Sequence, residues 1–358
     1  MKIIQIIPLL DLAGAETMCE NLTNSLIKLG HEVTVISLYD YHSVVTERME
    51  KNGINIFYLN KKSGLDLSLT FKLVKIFKEY KPDVVHSHLY AGKYAHVAAS
   101  ICGIKGRIYT IHSIATKEAG KLNRMFNRFL FKHCNVIPVS LSREVQNSVI
   151  DEYGIDVKDT PVVLNGVPLD NCHRKHDYSS NKKILHVGRF SPVKNHETLV
   201  KAVTAIVKRG YDVELCLYGQ GELEESIKEL VKNLHMEKNI FFCGLTDDVY
   251  SVMQKCDIFV LPSIYEGIPM TLIEAMGTGM PILASNVGGI PDMIENEKSG
   301  LLCEPTVKGV VTGLERLISS EEDRKIYGHN AVSSSEKFSA DKMAKDYYEI
   351  YLKACKGW

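Results

Sequence analysis

At 358 residues the chain exceeds what one ordinary core holds and suits two domains of roughly 150 to 200 residues each. A composition of 45% hydrophobic and 24% charged residues, with mean hydropathy near zero, excludes a disordered or membrane-embedded chain, and no apolar run approaches the ~18 residues of a membrane span. The formal net charge of zero gives no basis for general affinity to nucleic acid.

The opening MKIIQIIPLLDLAGAE is apolar enough to suggest a leader. Gln5 and Pro8 interrupt it, however, and no basic start or small-residue cleavage pattern accompanies it, so it reads as a buried first strand. A helical pattern from Glu16 to Leu29, capped by Gly30, leads to the strand EVTVISL, which completes a strand–helix–strand unit. The rhythm continues through INIFYL, the amphipathic stretch Leu67 to Tyr80, DVVHSH, RIYTIH and NVIPVS. These apolar runs are continuous rather than alternating, as in a parallel sheet buried on both faces.

At Asn165-Gly166-Val167-Pro168 the pattern breaks, and the polar stretch 170–183 reads as a linker between an N-terminal domain, 1–168, and a C-terminal domain, 169–339. A second series then runs through KILHVGRF, VELCLYG, NIFFCG, DIFVLPS and PILAS. The fold class is therefore α/β, with two doubly wound, Rossmann-like domains. In the segment 340–358, a helix from Ala340 to Lys353 is expected to pack back on the first domain. The nine cysteines stand singly, without a C-x-x-C pair, which fits a reducing cytoplasm rather than a zinc site or a disulfide framework.

Ligands of open parallel sheets gather at the carboxyl ends of strands. The strongest motif there is LPSIYEGIPMTLIEAMGTGMP, 261–281. Its strand ends at Ser263, Glu266 and Gly267 lie in the following loop, and Pro269 is expected in the first turn of a helix that also carries Glu274. Gly267 permits close backbone approach. The free N–H groups near Met270, Thr271 and Leu272 would face outward, where hydrogen bonding and the helix dipole favour a diphosphate. Glu266 and Glu274 suit neutral sugar and ribose hydroxyls, since carboxylates would repel the anion itself.

A second strand end, LHVGRFSPVKNHE, supplies Gly188, Arg189 and Lys194. A guanidinium fork and a compact ammonium together neutralise a leaving diphosphate, although surface basic residues give the same pattern. Gly219, Gly244 and Leu245 end further strands and suit approach to a nucleotide base, though turn requirements explain glycine equally well. His86 and His88 form an H-x-H on one strand face, but no third ligand is evident, so no metal is expected.

The run GRFSPVK, the span from Glu266 to Glu274, and ASNVGGIPDMI together resemble the retaining glycosyltransferases of family 4; Ala13-Gly14-Ala15-Glu16 and Asn165-Gly166-Val167 extend the likeness over nearly the whole chain. The resemblance implies the GT-B fold, in which two Rossmann-like domains face one another across a cleft. It implies that Arg189 and Lys194 hold the diphosphate, Glu274 the donor ribose and Glu266 the transferred sugar, that Gly14 lies beside the phosphates, and that His112 contacts the sugar near its reacting centre. Family members often carry two adjacent glycines where this chain has Ala13-Gly14, so any positive φ needed there falls on Gly14.

The implied reaction moves a hexosyl group, with retention, from a nucleotide diphosphate sugar, most simply a UDP-sugar, to a glycan or lipid-linked oligosaccharide in cell-surface polysaccharide synthesis. No cofactor is expected. Lys117, Lys121, Arg124, Arg128 and Lys132 are mixed with Met125, Phe126, Phe129, Leu130 and Phe131 in the segment 117–134, which suits an anionic membrane surface at the inner face of the cell membrane. The same pattern fits a helix whose phenylalanines enter the core. A nucleotide-sugar epimerase of the same architecture and a non-catalytic donor-binding subunit are the competing readings.

Overall fold

The computed structural model describes residues 1–357 as two compact units, one formed by Met1–Val167 with the residues from Ser339 on, the other by Pro168–Phe338. The first unit holds β1 (Lys2–Ile7), β2 (Glu32–Ser37), β3 (Asn55–Tyr58), β4 (Val84–His88), β5 (Gly106–Ile111) and β6 (Ile137–Ser140). The second holds β7 (Lys183–Val187), β8 (Glu214–Tyr218), β9 (Ile240–Gly244), β10 (Ile258–Leu261), β11 (Ile282–Ser285) and β12 (Leu301–Cys303).

Each unit is one six-stranded sheet, ordered β3-β2-β1-β4-β5-β6 and β12-β11-β10-β7-β8-β9, with parallel neighbours throughout. The central strands β4, β10 and β11 are buried along their whole length, which is why they read as unbroken apolar runs. β12 escaped the sequence reading because three residues, Leu-Leu-Cys, carry no period.

In the second unit, Ile184, Leu215, Ile258, Val260 and Leu283 of the sheet pack against Leu199, Val203 and Ile206 on one helix and Val310, Leu314 and Leu317 on another. In the first, the helix Ser68–Tyr80 turns Leu69, Leu73 and Phe77 onto Ile4, Ile36 and Val85.

The helix Ala340–Lys356 belongs to the first unit. Ser339 caps it by accepting from the Lys342 amide at 3.2 Å, and the Ala340 amide donates to the Val167 carbonyl at 2.8 Å. Its Asp341 accepts from Ser25 Oγ at 3.0 Å and pairs with Lys28 at 2.8 Å, both on the helix Gly14–Lys28. Deeper in, the Tyr351 hydroxyl meets His86 Nδ1 at 2.8 Å and the Tyr347 hydroxyl meets Thr110 Oγ1 at 2.7 Å. Two tyrosines buried along their whole length thus find partners for their polar ends, as burial demands.

Gly166 is fixed by this contact. A Cβ there would lie 2.5 Å from the Ser339 carbonyl oxygen and 2.8 Å from the Ala340 Cα and nitrogen, all of them backbone atoms. Gly166→Ala is expected to lower the unfolding free energy of the first unit by about 1–3 kcal/mol; an unchanged urea midpoint would show that the Ser339–Ala340 backbone yields freely.

Candidate active site

In the second sheet the chain leaves β7 toward β8 and β9, then returns to lay β10 on the other side of β7. The loops after β7 and β10 therefore start from neighbouring strand ends, the switch point where doubly wound sheets bind ligands. Backbone and side chain join the two loops. The Ile264 amide donates to the Val193 carbonyl at 2.8 Å, and Asn195 Nδ2 donates to the Pro262 and Pro305 carbonyls at 3.0 and 3.2 Å.

This juncture brings Lys194 onto Glu266. The ammonium donates to Glu266 Oε1 at 2.6 Å, and Ser263 Oγ donates to the same oxygen at 2.6 Å. Both side chains are largely withdrawn from water, with 20% of Lys194 and 10% of Glu266 exposed. An ammonium has three N–H donors, so the Glu266 contact leaves others for a ligand oxygen. Arg189, two residues after β7, is exposed, and its guanidinium makes no ion pair among the described residues.

Gly267, Ile268 and Pro269 lead from Glu266 to the helix Met270–Thr278. Pro269 is the residue before the first turn rather than within it, and as an N-cap it offers no side-chain acceptor to the amides ahead. The Leu272 amide donates to the Pro269 carbonyl at 3.1 Å, so the outward-facing amides are those of Met270 and Thr271 and not all three. Leu272 itself is wholly buried, a core side chain. Beside the amides, the Thr271 hydroxyl is buried and has no partner among the described residues. A helix mouth with open N–H groups and an unpaired hydroxyl has the chemistry of an anion site. Glu274, one turn further on, is only 9% exposed.

Close packing of backbone holds the mouth in place. Gly288 has φ of +54°, and a Cβ there would fall 1.8 Å from the Glu266 carbonyl oxygen; at Gly289 it would fall 2.3 Å from that of Gly267. The Gly289 amide donates to the Glu266 carbonyl at 3.1 Å. Gly219, at φ of +141°, presses on the Gly188 carbonyl at 2.0 Å from its would-be Cβ and donates its amide to the Gly244 carbonyl at 2.8 Å. These glycines are thus required by the fold. At Gly267 and Gly244 a Cβ would meet nothing within 4 Å, and Leu245 is 54% exposed, so these positions face open space.

The first sheet repeats the topology, with its switch point between β1 and β4. Gly14 opens the helix Gly14–Lys28 in exposed surroundings, with space for a Cβ and with negative φ; the left-handed conformation reserved for it is not used. His112 follows β5. Its amide and that of Ser113 donate to Glu118 Oε2 at 2.9 and 2.8 Å, and its Nε2 lies 3.1 Å from His88 Nδ1. Burial depresses the His112 imidazole to about 4 and pushes the Glu118 carboxyl up to about 7. His86 spends both ring nitrogens on Tyr351 and Thr110, and His88 spends its own on His112 and Gln5. No group of three metal-ligating side chains occurs among the described residues.

The basic and aromatic segment 117–134 divides. In the helix Lys121–His133, Leu130 and Phe131 are buried and Phe126 packs against the same core, so these three are not membrane-facing. Leu122, Met125 and Phe129, spaced one helical turn apart, are 81%, 64% and 53% exposed. Arg124 is held by Glu152 at 2.8 Å and Arg128 by the Tyr153 carbonyl at 3.1 Å. No described helix is long and apolar enough to cross a membrane.

Sequence reasoning named Thr271 for its amide but missed its unpaired hydroxyl, and it missed the hold of Ser263 on Glu266, Gly288–Gly289, Gln5 and the partner role of His88. The glycine pair stood in plain view within ASNVGGIPDMI, and Ser263 stands three residues before Glu266; the contacts of His88 with Gln5 and His112 join distant segments and leave no local trace.

A model of the family "Glycosyltransferase Family 4" matches residues 12–171, and one of "Glycosyl transferases group 1" matches residues 171–333. N-acetyl-alpha-D-glucosaminyl L-malate synthase of Bacillus anthracis is 29% identical over 95% of this chain and 94% of its own length. The UDP-Gal:alpha-D-GlcNAc-diphosphoundecaprenol alpha-1,3-galactosyltransferase of Escherichia coli is 28% identical over 67% of each chain. Among solved structures, Anabaena Alr3699/HepE in complex with UDP and glucose superposes with a TM-score of 0.85 at 20% identity, covering 99% of this chain and 100% of that one. Matched by the two models over residues 12–333 and sharing this double-sheet fold, the chain belongs to the family 4 glycosyltransferases and has the GT-B fold.

Proposed function

We propose that this glycosyltransferase moves a hexosyl group, with retention of configuration, from a UDP-sugar to a glycan or lipid-linked oligosaccharide in cell-surface polysaccharide synthesis. The observation that carries this reading is the Lys194–Glu266 pair, set at the switch point beside the open amides of Met270 and Thr271. A diphosphate at that mouth meets N–H dipoles and the remaining Lys194 donors, with Arg189 free to fork onto its oxygens. Glu266, fixed by Lys194 and Ser263, offers a carboxylate to the hydroxyls of the transferred sugar, and Glu274 to those of the ribose. Gly219, Gly244 and Leu245 border the base. Gly14 and His112 take the roles the family resemblance gives them, beside the phosphates and on the sugar.

As the glycosidic bond breaks, negative charge grows on the departing diphosphate, where Arg189, Lys194 and the amides act. Glu266 Oε1 already accepts two hydrogen bonds, which disfavours it as a covalent nucleophile. Attack by the acceptor hydroxyl on the face the diphosphate leaves, with the diphosphate oxygen taking the proton, accounts for retention. The exposed Leu122, Met125 and Phe129, flanked by Lys121, Arg128 and Lys132, meet an anionic membrane at its cytoplasmic face, where lipid-linked acceptors are presented.

A panel of UDP-glucose, UDP-galactose and UDP-N-acetylglucosamine, each with and without lipid-linked glycan, tests the function by released UDP and by glycan product. Acceptor-dependent release supports transfer; donor isomerisation without acceptor supports an epimerase, and no turnover an idle subunit. In that assay Arg189→Ala and Lys194→Ala are each expected to lower kcat by on the order of a hundredfold, and wild-type rates in either would remove its assigned role. Glu274→Ala should raise the donor KM; a change confined to the acceptor KM contradicts ribose binding. Replacing Leu122, Met125 and Phe129 together by serine is expected to abolish sedimentation with phosphatidylglycerol vesicles while sparing UDP release with a detergent-solubilised acceptor. Undiminished sedimentation would rule out this face.

A further inference from the structure

Behind His112 lies a buried chain of hydrogen bonds that the reaction as described does not use. Gln5, inside β1, directs its amide nitrogen to Thr23 Oγ1 at 2.5 Å and toward the Cys19 carbonyl at 3.4 Å. The Thr23 hydroxyl is itself a donor to the Cys19 carbonyl at 2.8 Å, so it can only accept from Gln5. This orients the amide: Gln5 Oε1 must face the other way, toward His88 Nε2 at 2.9 Å. A carbonyl oxygen accepts only, so His88 carries its proton on Nε2 and presents a bare Nδ1. His112 Nε2, 3.1 Å from that Nδ1, must then be protonated.

We propose that Gln5 and His88 are positioning residues that hold His112 as the neutral Nε2–H tautomer, leaving its Nδ1 lone pair as a fixed hydrogen-bond acceptor for a hydroxyl of the donor sugar. His112 is only partly covered, and its Nδ1 has no partner among the described residues. Glu118 meanwhile clamps the backbone of the same residue through the amides of His112 and Ser113, so ring and main chain are fixed independently. Burial keeps His88 and His112 neutral near pH 7, which preserves the directionality. The two strands make the geometry available: β4 pairs with both β1 and β5, which places His88 between Gln5 and His112. The role given to Nδ1 rests on the sugar contact proposed above; the tautomer does not.

Two-bond 15N–1H correlation spectra of the ligand-free, 15N-labelled protein test this, with His112 identified by the signals lost in His112→Gln. At pH 7 His112 should be protonated on Nε2 and bare on Nδ1; protonation on Nδ1, or on both nitrogens, overturns the proposal. His88→Leu removes the acceptor and is expected to mix the His112 tautomers and lower kcat/KM for UDP release from UDP-sugars by about tenfold or more. In His88→Gln the amide can still take the proton from His112 and give one to Gln5, and most of the rate should return. An unaltered tautomer with an unaltered rate in His88→Leu refutes positioning, and if that variant does not fold, the wild-type spectrum and His88→Gln decide. Undiminished UDP release in His112→Ala, with the tautomer as stated, would instead count against the sugar contact alone.

Discussion

Parallel strands cannot be joined by hairpins, and every consequence of this fold flows from that restriction. Each strand must be followed by a crossover that returns the chain to the opposite end of the sheet, so all strand ends of one sense gather on one edge. Where the strand order reverses, two crossovers leave in opposite directions and their loops part. In the second unit this occurs between β7 and β10, where the loops carrying Lys194 and Glu266 meet; in the first it occurs between β1 and β4, next to Gly14 and His88. Loops that start from neighbouring strand ends can bring their side chains together, as Lys194 and Glu266 are brought together here.

The charges so gathered are balanced before any ligand arrives. Lys194 would be costly to hold in its half-buried place alone, and Glu266 likewise; each relieves the other, while Ser263 shares the carboxylate. The unneutralised potential comes instead from dipoles and from exposed Arg189. Such an arrangement favours a ligand that is anionic at one end and rich in hydroxyls at the other, since amides and ammonium serve the first and a pinned carboxylate the second.

Much of this was legible in the chain. Continuous apolar runs gave eleven of the twelve strands because burial on both faces removes polar alternation, and Gly267, Pro269 and Glu274 announced the helix mouth by type and spacing. What stayed hidden was contact at long sequence separation. Nothing local to Lys194 signals a carboxylate partner 72 residues later, or ties His112 to Gln5 through His88. The segment 117–134 was ambiguous for a different reason. An amphipathic helix with apolar residues on more than one face reads the same whether it turns Leu130 and Phe131 or Leu122 and Phe129 inward; only the packing against Tyr153 and Val149 decides it.

The helix Ala340–Lys356 has a bearing on biosynthesis. Tyr347 and Tyr351 complete the polar interior beneath β4 and β5, yet the ribosome must produce all of the second unit before it makes them. At 5–20 residues per second the delay is on the order of ten to thirty seconds, during which His86 and Thr110 lack those hydroxyls. The second unit, contiguous in the chain, has no such wait, so the half of the protein that emerges later is the one able to mature first.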